Sequence, residues 1–313
     1  MTIRSRQSKF SHIPPKERLP KWIHPSLGKV SQLEKVQNLI KNYRLNTICE
    51  EGRCPNRGEC YAAGTATFLL GGSICTRSCS FCQVEKGSPN KKIDPLEADR
   101  VANAVVLMNL RYVVLTSVAR DDLPDHGASL FTNTISAIRK LNPLIAIEVL
   151  TPDFWGGDSD IIVSRNKQIE RVSKVLKAQP ICFNHNLETV ERLQKEVRRG
   201  ATYKRSLGLL KIAKDLAPDI PTKSGIMLGL GETKGEIIKT LEDLRAVKCE
   251  RVTIGQYLRP SLAHIPVQHY WEPKDFEIFA QKAFELGFKK VNSGPLVRSS
   301  YHADEETSTS SLE

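Results

Sequence analysis

The sequence predicts an α/β fold of repeated βα units around a parallel sheet, and three observations carry that expectation. Short apolar, strand-like runs recur at intervals of 27–46 residues, helical patterns lie between several of them, and polar residues gather where the runs end. In order, the strands are expected at 66–70, 112–115, 145–150, 181–184, 225–228 and 252–256. Residues 31–45 form a short helix ahead of them, with Leu33, Val36, Leu39 and Ile40 on one face. Helical faces follow at Phe131, Ile135 and Ile138, at Val190, Leu193 and Val197, and at Ile237, Ile238, Leu241 and Leu244. A last helix carries Phe276, Phe279, Ala283 and Phe284, and leads to a Gly-Pro turn and a Ser/Thr/Glu tail expected to be disordered. The polar rim comprises Thr116 and Ser117, Glu148 and Thr151, Asn184 and His185, Glu232 and Gln256. In parallel α/β folds that edge binds ligands. The rhythm alone fits an open doubly wound sheet, a full barrel or a partial one.

With 313 residues, 40% of them hydrophobic, the chain has material for one large core or two modest ones. No apolar run approaches the roughly 18–20 residues that cross a bilayer, and the N-terminus lacks a secretory h-region. A soluble protein without a membrane partner is expected. Residues 1–44 hold ten Lys or Arg against Glu17 and Glu34, a local charge of +8, whereas the tail from Tyr301 holds four acids and no Lys or Arg. That imbalance suits an acidic partner. Residues 1–28, with Pro14, Pro15, Pro20 and Pro25, read as an extended basic arm; the alternative is an organelle transit peptide. The expected location is cytoplasmic, with organelle stroma or matrix as the alternative.

Six of the eight cysteines fall within 34 residues, which points to metal ligation rather than a disulfide framework. Cys182 and Cys249 stand alone and are expected to be buried as small hydrophobes. Cys75-x3-Cys79-x2-Cys82 follows the first strand and Gly71-Gly72. Three thiolates at this spacing wrap one compact 4Fe–4S cluster and leave one iron open, a mark of chemistry rather than structure. A zinc site would want a second knuckle and a fourth ligand. Cys75-Thr-Arg-Ser-Cys79-Ser-Phe81-Cys82 resembles the signature of radical S-adenosylmethionine enzymes, down to the aromatic before the last cysteine. Gly225-Ile-Met227-Leu-Gly229-Leu-Gly-Glu232 resembles that superfamily's strand near the adenine, with Met227 where Ile is usual. The resemblance implies a partial (β/α)6 TIM-like barrel with an N-terminal cluster-binding extension and a C-terminal extension, divided at 1–64, 65–275 and 276–313. It also implies that the open iron binds S-adenosylmethionine, whose one-electron cleavage starts radical chemistry. Phe81, Thr116, Glu148, Asn184, Gly225 and Glu232 are the expected cofactor-binding residues.

Cys49-x4-Cys54-x5-Cys60 precedes the first strand. By spacing alone it holds zinc, a disulfide or a second cluster, with the cluster favoured. Cys49-Glu-Glu-Gly-Arg-Cys54-Pro-Asn-Arg-Gly-Glu-Cys60 is similar to the N-terminal signature of the lipoyl synthase family. So are Thr116-Ser-Val-Ala-Arg-Asp-Asp-Leu-Pro-Asp125, Glu148-Val-Leu-Thr-Pro-Asp-Phe154 and Phe183-Asn-His-Asn-Leu-Glu-Thr189. Matches continue through Val197-Arg-Arg-Gly-Ala-Thr-Tyr-Lys-Arg-Ser206, the strand around Gly225, and Arg298-Ser-Ser-Tyr-His302.

That resemblance implies a sulfurtransferase that inserts two sulfurs at the sixth and eighth carbons of an octanoyl chain on an acidic lipoyl carrier protein. It implies two 4Fe–4S clusters, the second of which donates sulfur, and makes all six cysteines catalytic. In the family a C-terminal serine completes the second cluster; the pair Ser299-Ser300 matches, and Ser300 is expected. Further partners are a reductant such as ferredoxin or flavodoxin and an iron–sulfur carrier protein, with no nucleic acid. Arg120, Asp121 and Asp122 position substrate or S-adenosylmethionine, or cap a helix. The competing readings are another radical enzyme of this superfamily, an iron–sulfur electron carrier and a zinc protein that binds nucleic acid. The basic arm carries only Phe10, Trp22 and Tyr43 as aromatics, too few for the last of these.

Overall fold

The computed structural model describes residues 19–23, 30–52, 54–62, 65–301 and 303. Most of the basic arm, with Pro14, Pro15 and Pro25, lies outside the described residues, as do His302 and the acidic tail. No described helix is long and apolar enough to cross a membrane.

Seven parallel strands form one sheet: β1 (Thr65–Leu70), β4 (Tyr112–Ser117), β5 (Ala146–Leu150), β6 (Cys182–Asn184), β7 (Thr222–Leu228), β8 (Arg251–Gln256) and β9 (Lys290–Gly294). The missing numbers belong to a two-strand ribbon, β2 (Ile74–Cys75) and β3 (Glu85–Lys86), which closes the cysteine loop. Each strand of the large sheet pairs with the next in sequence, and β1 and β9 remain its two edges. The fold is a partial barrel that does not close.

Alternation along the strands separates two environments. Ala66, Phe68, Leu70, Val113, Leu115, Ile147, Val149 and Phe183 face outward and pack under α4 (Glu97–Leu107), α5 (Ala128–Leu141), α6 (Ile161–Lys177) and α8 (Tyr203–Leu216). Ile226, Leu228, Val252 and Ile254 pack likewise under α9 (Lys234–Ala246) and α10 (Pro273–Glu285). The inner face is polar. Glu148 accepts hydrogen bonds from Tyr112 Oη (2.7 Å) and Asn184 Nδ2 (2.8 Å), and Lys223 Nζ lies 3.6 Å from its carboxylate. All four are buried. A buried ion pair survives when further hydrogen bonds satisfy its remaining lone pairs, as they do here.

Six strands were expected, and the seventh, β9, runs on past residue 275. Its sequence, Lys-Val-Asn-Ser-Gly, has no apolar run, because its inner face carries Lys290 and Asn292. The helical face at Val190, Leu193 and Val197 is only a 3-10 turn (Glu191–Leu193) and one α turn, α7 (Gln194–Val197). Gly200, at φ +89°, ends that segment, and the Thr202 hydroxyl caps the true connecting helix, α8. Helix α6 escapes a periodicity reading because Ser164, Gln168 and Arg171 occupy its buried face beside Val172, Val175 and Leu176. Phe284, expected on the core face of the last helix, is exposed.

The gap between the sheet edges is filled by both ends of the chain. Helices α2 (Ile48–Glu51) and α3 (Arg57–Ala62) lie against β1, where Thr47 bridges Phe68 and Leu69 N–H donates to the Asn46 carbonyl at 2.8 Å. Asn56 Nδ2 donates to the Leu296 carbonyl (2.6 Å), and Tyr301 Oη donates to Glu59 (3.0 Å).

Candidate functional site

The loop from Gly71 to Cys82 stands at the C-terminal mouth of the barrel. Gly71 and Gly72 leave β1 at positive φ, and Glu97 accepts both of their N–H groups at 2.9 and 3.3 Å. The ribbon returns Gly87 N–H to the Cys75 carbonyl (2.9 Å). Three neighbouring loops then grip the turn. Thr76 bonds Ala119 and Asp121 after β4, Ser80 N–H donates to Val197 O (2.9 Å), and Ile265 N–H after β8 donates to Ser80 O (3.2 Å). His264 Nε2 donates to the Cys82 carbonyl (3.1 Å). Among the described residues, which include all eight cysteines, no disulfide forms.

An ionic network holds this loop from below. Arg77 binds Asp121 (2.8 Å) and the fully buried Asp153 (2.6 Å), and Arg205 reaches the other oxygen of Asp153 at 3.2 Å. Although burial opposes its charge, the two guanidiniums hold the Asp153 carboxyl far below the usual carboxylate range. Burial raises the Cys79 thiol above its usual value and pushes Cys82 up to about 12. In the absence of iron these are thiols; metal binding displaces their protons.

The expected rim residues separate by role. Phe81 packs with Val190, Leu193, Val197 and Tyr257 in an apolar cluster behind the loop. The Thr116 hydroxyl donates to Leu150 O (2.9 Å). Glu148 and Asn184 belong to the buried inner network. Glu232 accepts from Gly229 N–H (2.5 Å), Leu230 N–H and Trp271 Nε1 (both 2.9 Å), so its carboxylate shapes the turn after β7. Asp122 pairs with Arg120 at 2.8 Å rather than capping a helix. His185 is buried, and burial lowers it to about 3. It stays neutral: Nδ1 donates to Thr151 O (2.8 Å), while Nε2 accepts from Arg198 (3.1 Å). Cys182 and Cys249 are fully buried.

Gly225 has a geometric reason to be glycine. A Cβ there would stand 2.7 Å from Thr253 Oγ1, 2.8 Å from Asn186 Oδ1 and 2.9 Å from Ser299 Oγ. Gly225→Ala is expected to destabilise the protein by about 1–3 kcal/mol, read as a lower midpoint in chemical denaturation.

A second cavity lies in the gap between the sheet edges. Cys49, Cys54 and Cys60 line it together with Asn56, Thr65, Thr67, Arg298, Ser300 and Tyr301. Burial, with Cys54 adding to it, pushes the Cys49 thiol up to about 12. Burial also lowers Arg298, which Cys54 opposes. The Thr65 hydroxyl is buried and has no partner among the described residues. A half-buried guanidinium and an unspent hydroxyl suit an anionic iron–sulfur group bound by thiolates. Ser299 does not line this cavity: its Oγ accepts from Asn186 Nδ2 at 2.7 Å.

Two mouth residues escaped the sequence reading, which stopped at Asn184 and His185. Asn186 Nδ2 also donates to Glu188 (3.0 Å), and Glu188 sits at φ +67°. Left-handed backbone costs a residue with a side chain about 1–2 kcal/mol, a strain typical of functional sites. The Glu188 carboxylate adds to the burial that raises Cys79 and Cys82, and it offsets the lowering that burial imposes on Arg198. Positive φ leaves no periodicity signal at a non-glycine residue.

Residues 69–244 match the radical SAM superfamily. The solved structure of SuiB from Streptococcus suis bound to its precursor peptide is similar in fold (TM-score 0.54, 12% identity, 88% of this chain and 57% of that one). Methylornithine synthase is another such neighbour (TM-score 0.50, 14% identity, 88% and 90%). Along the sequence, the chain is 72% identical to "Lipoyl synthase 2" of Prochlorococcus marinus over 304 residues, covering 97% of this chain and 99% of that protein. It is 50% identical to the lipoyl synthase of Caldanaerobacter subterraneus over 287 residues, covering 92% and 96%. By these matches the chain belongs to the lipoyl synthase family, radical S-adenosylmethionine enzymes with 4Fe–4S clusters that insert sulfur into an octanoyl chain.

Proposed function

We propose that Cys75, Cys79 and Cys82 hold the 4Fe–4S cluster that binds S-adenosylmethionine, and that Cys49, Cys54, Cys60 and Ser300 hold the cluster that supplies sulfur. The observation that carries this reading is the gathering of three cysteines and Ser300 around one cavity, apart from the mouth loop. The unreactive C–H bonds of an octanoyl chain offer no acidic proton, so S-adenosylmethionine bound to the open iron supplies radical oxidation. The chain's own residues do the rest. Arg77, Asp121 and Asp153 fix the loop that presents the three thiolates. Asn186 and Glu188 orient the cosubstrate at the mouth, and Phe81 with its apolar neighbours excludes water. Ser300 gives the donor group a harder ligand than thiolate, a weaker hold on a group to be dismantled.

The substrate is an octanoylated carrier protein, electrons come from a ferredoxin or flavodoxin, and an iron–sulfur carrier protein reloads the donor site. Cytoplasmic residence is supported by the bacterial relatives. The division into three segments, at 64 and 275, belongs to the same reading, with β9 of the last segment completing the sheet. In the test, anaerobically reconstituted protein should contain about eight irons with matching sulfide. Reduced and given S-adenosylmethionine and an octanoyl-lysine peptide, it should yield peptide heavier by two sulfurs. Cleavage without a sulfur-bearing product would favour another radical enzyme of this superfamily, and zinc without sulfide would sink the reading. Ser300→Ala is expected to lose about one iron from the donor site, whereas Ser299→Ala keeps the full complement, as read by iron analysis.

A further inference from the structure

Beyond the cysteine loop, the rim of the barrel is electrically lopsided. The loop after β4 carries Asp121, Asp122 and Asp125 against Arg120, and the loop after β5 carries Asp153, Asp158 and Asp160 with no cation before residue 161. Across the mouth, residues 188–205 reverse the sign. Arg192, Lys195, Arg198, Arg199, Lys204 and Arg205 face only Glu188, Glu191 and Glu196. Three of these cations are committed: Arg192 to Glu236, Arg198 to Ser206 and His185, and Arg205 to Asp153. Lys195, Arg199 and Lys204 are exposed, and none has an ion-pair partner among the described residues.

These three lie together. With Glu191, Gln194 and Arg198 they line a groove of about 530 Å³ between α7 and the start of α8. The groove backs directly onto the cysteine loop, since Ser80 Oγ donates to Glu196 O (3.0 Å) and Arg77 lies against Gly200. Its wall also contains an unfilled acceptor. Gln194, 4% exposed, spends its amide N–H groups on Leu187 and Thr189 carbonyls while its Oε1 accepts nothing among the described residues.

We propose that the groove lined by Lys195, Arg199 and Lys204 is the docking surface for an acidic face of the octanoylated carrier protein. The inference rests on the sulfur-inserting reading above and adds where its protein substrate lands. A carrier that threads an acyl-lysine arm into the mouth must sit on the rim. Acids on the carrier find no unpaired cation on the loops after β4 and β5, where Asp121, Asp122, Asp125, Asp153 and Asp158 already hold ion-pair partners, and are attracted to the opposite side. Rim charges of this kind raise encounter rates and fix orientation. Unpaired exposed cations at one place cost the free protein self-repulsion that an acidic partner relieves.

The test uses the full reconstituted chain and the triple variant Lys195→Glu, Arg199→Glu, Lys204→Glu. Octanoyl-lysine peptide and octanoylated carrier protein are compared as substrates, and carrier binding is titrated calorimetrically at low and high salt. For the variant, the carrier's KM should rise at least about tenfold and carrier binding should lose most of its salt dependence. Its peptide kinetics should stay within twofold of wild type, which also shows that the variant is folded. An unchanged carrier KM would overturn the proposal and direct docking elsewhere, for example to the basic arm at 1–44. A parallel loss with peptide and carrier would overturn it too, because the groove would then belong to catalysis or folding. If wild-type protein thiolated neither substrate, the sulfur-inserting reading would fail, while the calorimetric comparison would still decide the docking surface.

Discussion

Cys54→Ala should leave S-adenosylmethionine cleavage within a few-fold of wild type while thiolated product falls below about one-thousandth. The two cysteine groups occupy separate environments, which is why the activities should part. Cys54 sits beside Arg298 in the cavity between the sheet edges, and its N–H donates to the Cys49 carbonyl at 3.0 Å. On the proposed assignment its removal would take one of four donor-site ligands and leave the mouth loop untouched. Cys75→Ala should do the reverse and abolish cleavage itself, with loss of product as the consequence. Mass spectrometry on one reaction mixture reads both, as 5′-deoxyadenosine released and as sulfur gained by the peptide. Normal cleavage in both variants would sink this division of labour.

Asp153→Asn should be the most damaging change outside the cysteines. The carboxylate is fully buried between Arg77 and Arg205, and neutralising it leaves two guanidiniums short of their partner charge. Breaking a buried pair from one side costs about 3–5 kcal/mol. The damage should reach the reaction, because Arg77 lies within the Cys75–Cys82 loop. A lower denaturation midpoint together with severely reduced cleavage is expected; unchanged cleavage would show that the loop holds its shape without this ion pair. The pH dependence has a definite sign. A carboxyl held below its unfolded pKa contributes stability that is complete above about pH 4 and lost as acidity increases toward the folded value. Asp153 therefore stabilises fully at neutral pH, and the wild type and Asp153→Asn stability curves should converge only below that point.

Six of the seven barrel strands were legible because their outer faces are apolar and their lengths are short. The seventh was not, since a strand whose inner face carries Lys290 and Asn292 has no hydrophobic run to find. The gathering of the mouth cysteines on one loop was legible from their close spacing. The neighbourhood of Ser300 was accessible only through family likeness: nothing local links a serine near the C-terminus to Cys49, because the link is made by the sheet. Glu188 and Asn186 lay within a recognised segment, but their roles depend on a left-handed turn and a hydrogen bond to Ser299, which no periodicity encodes. The buried polar faces of α6 and the inner barrel hid elements for one shared reason. Hydrophobic pattern reports burial against apolar surface, and these surfaces are polar.

The cavity between β1 and β9 has a mechanical consequence as well as a chemical one. Its walls come from both ends of the chain, joined by contacts such as Asn56 to Leu296, 240 residues apart. Closing a loop of that length costs about 5 kcal/mol of chain entropy. Any group gripped there by Cys49, Cys54, Cys60 and Ser300 is therefore a staple across the whole barrel, and it can be fitted only once the last strand has joined the sheet. On the proposed assignment, filling this site would require the finished fold. On the same assignment, emptying it would release a link between the two sheet edges, and refilling it would restore that link.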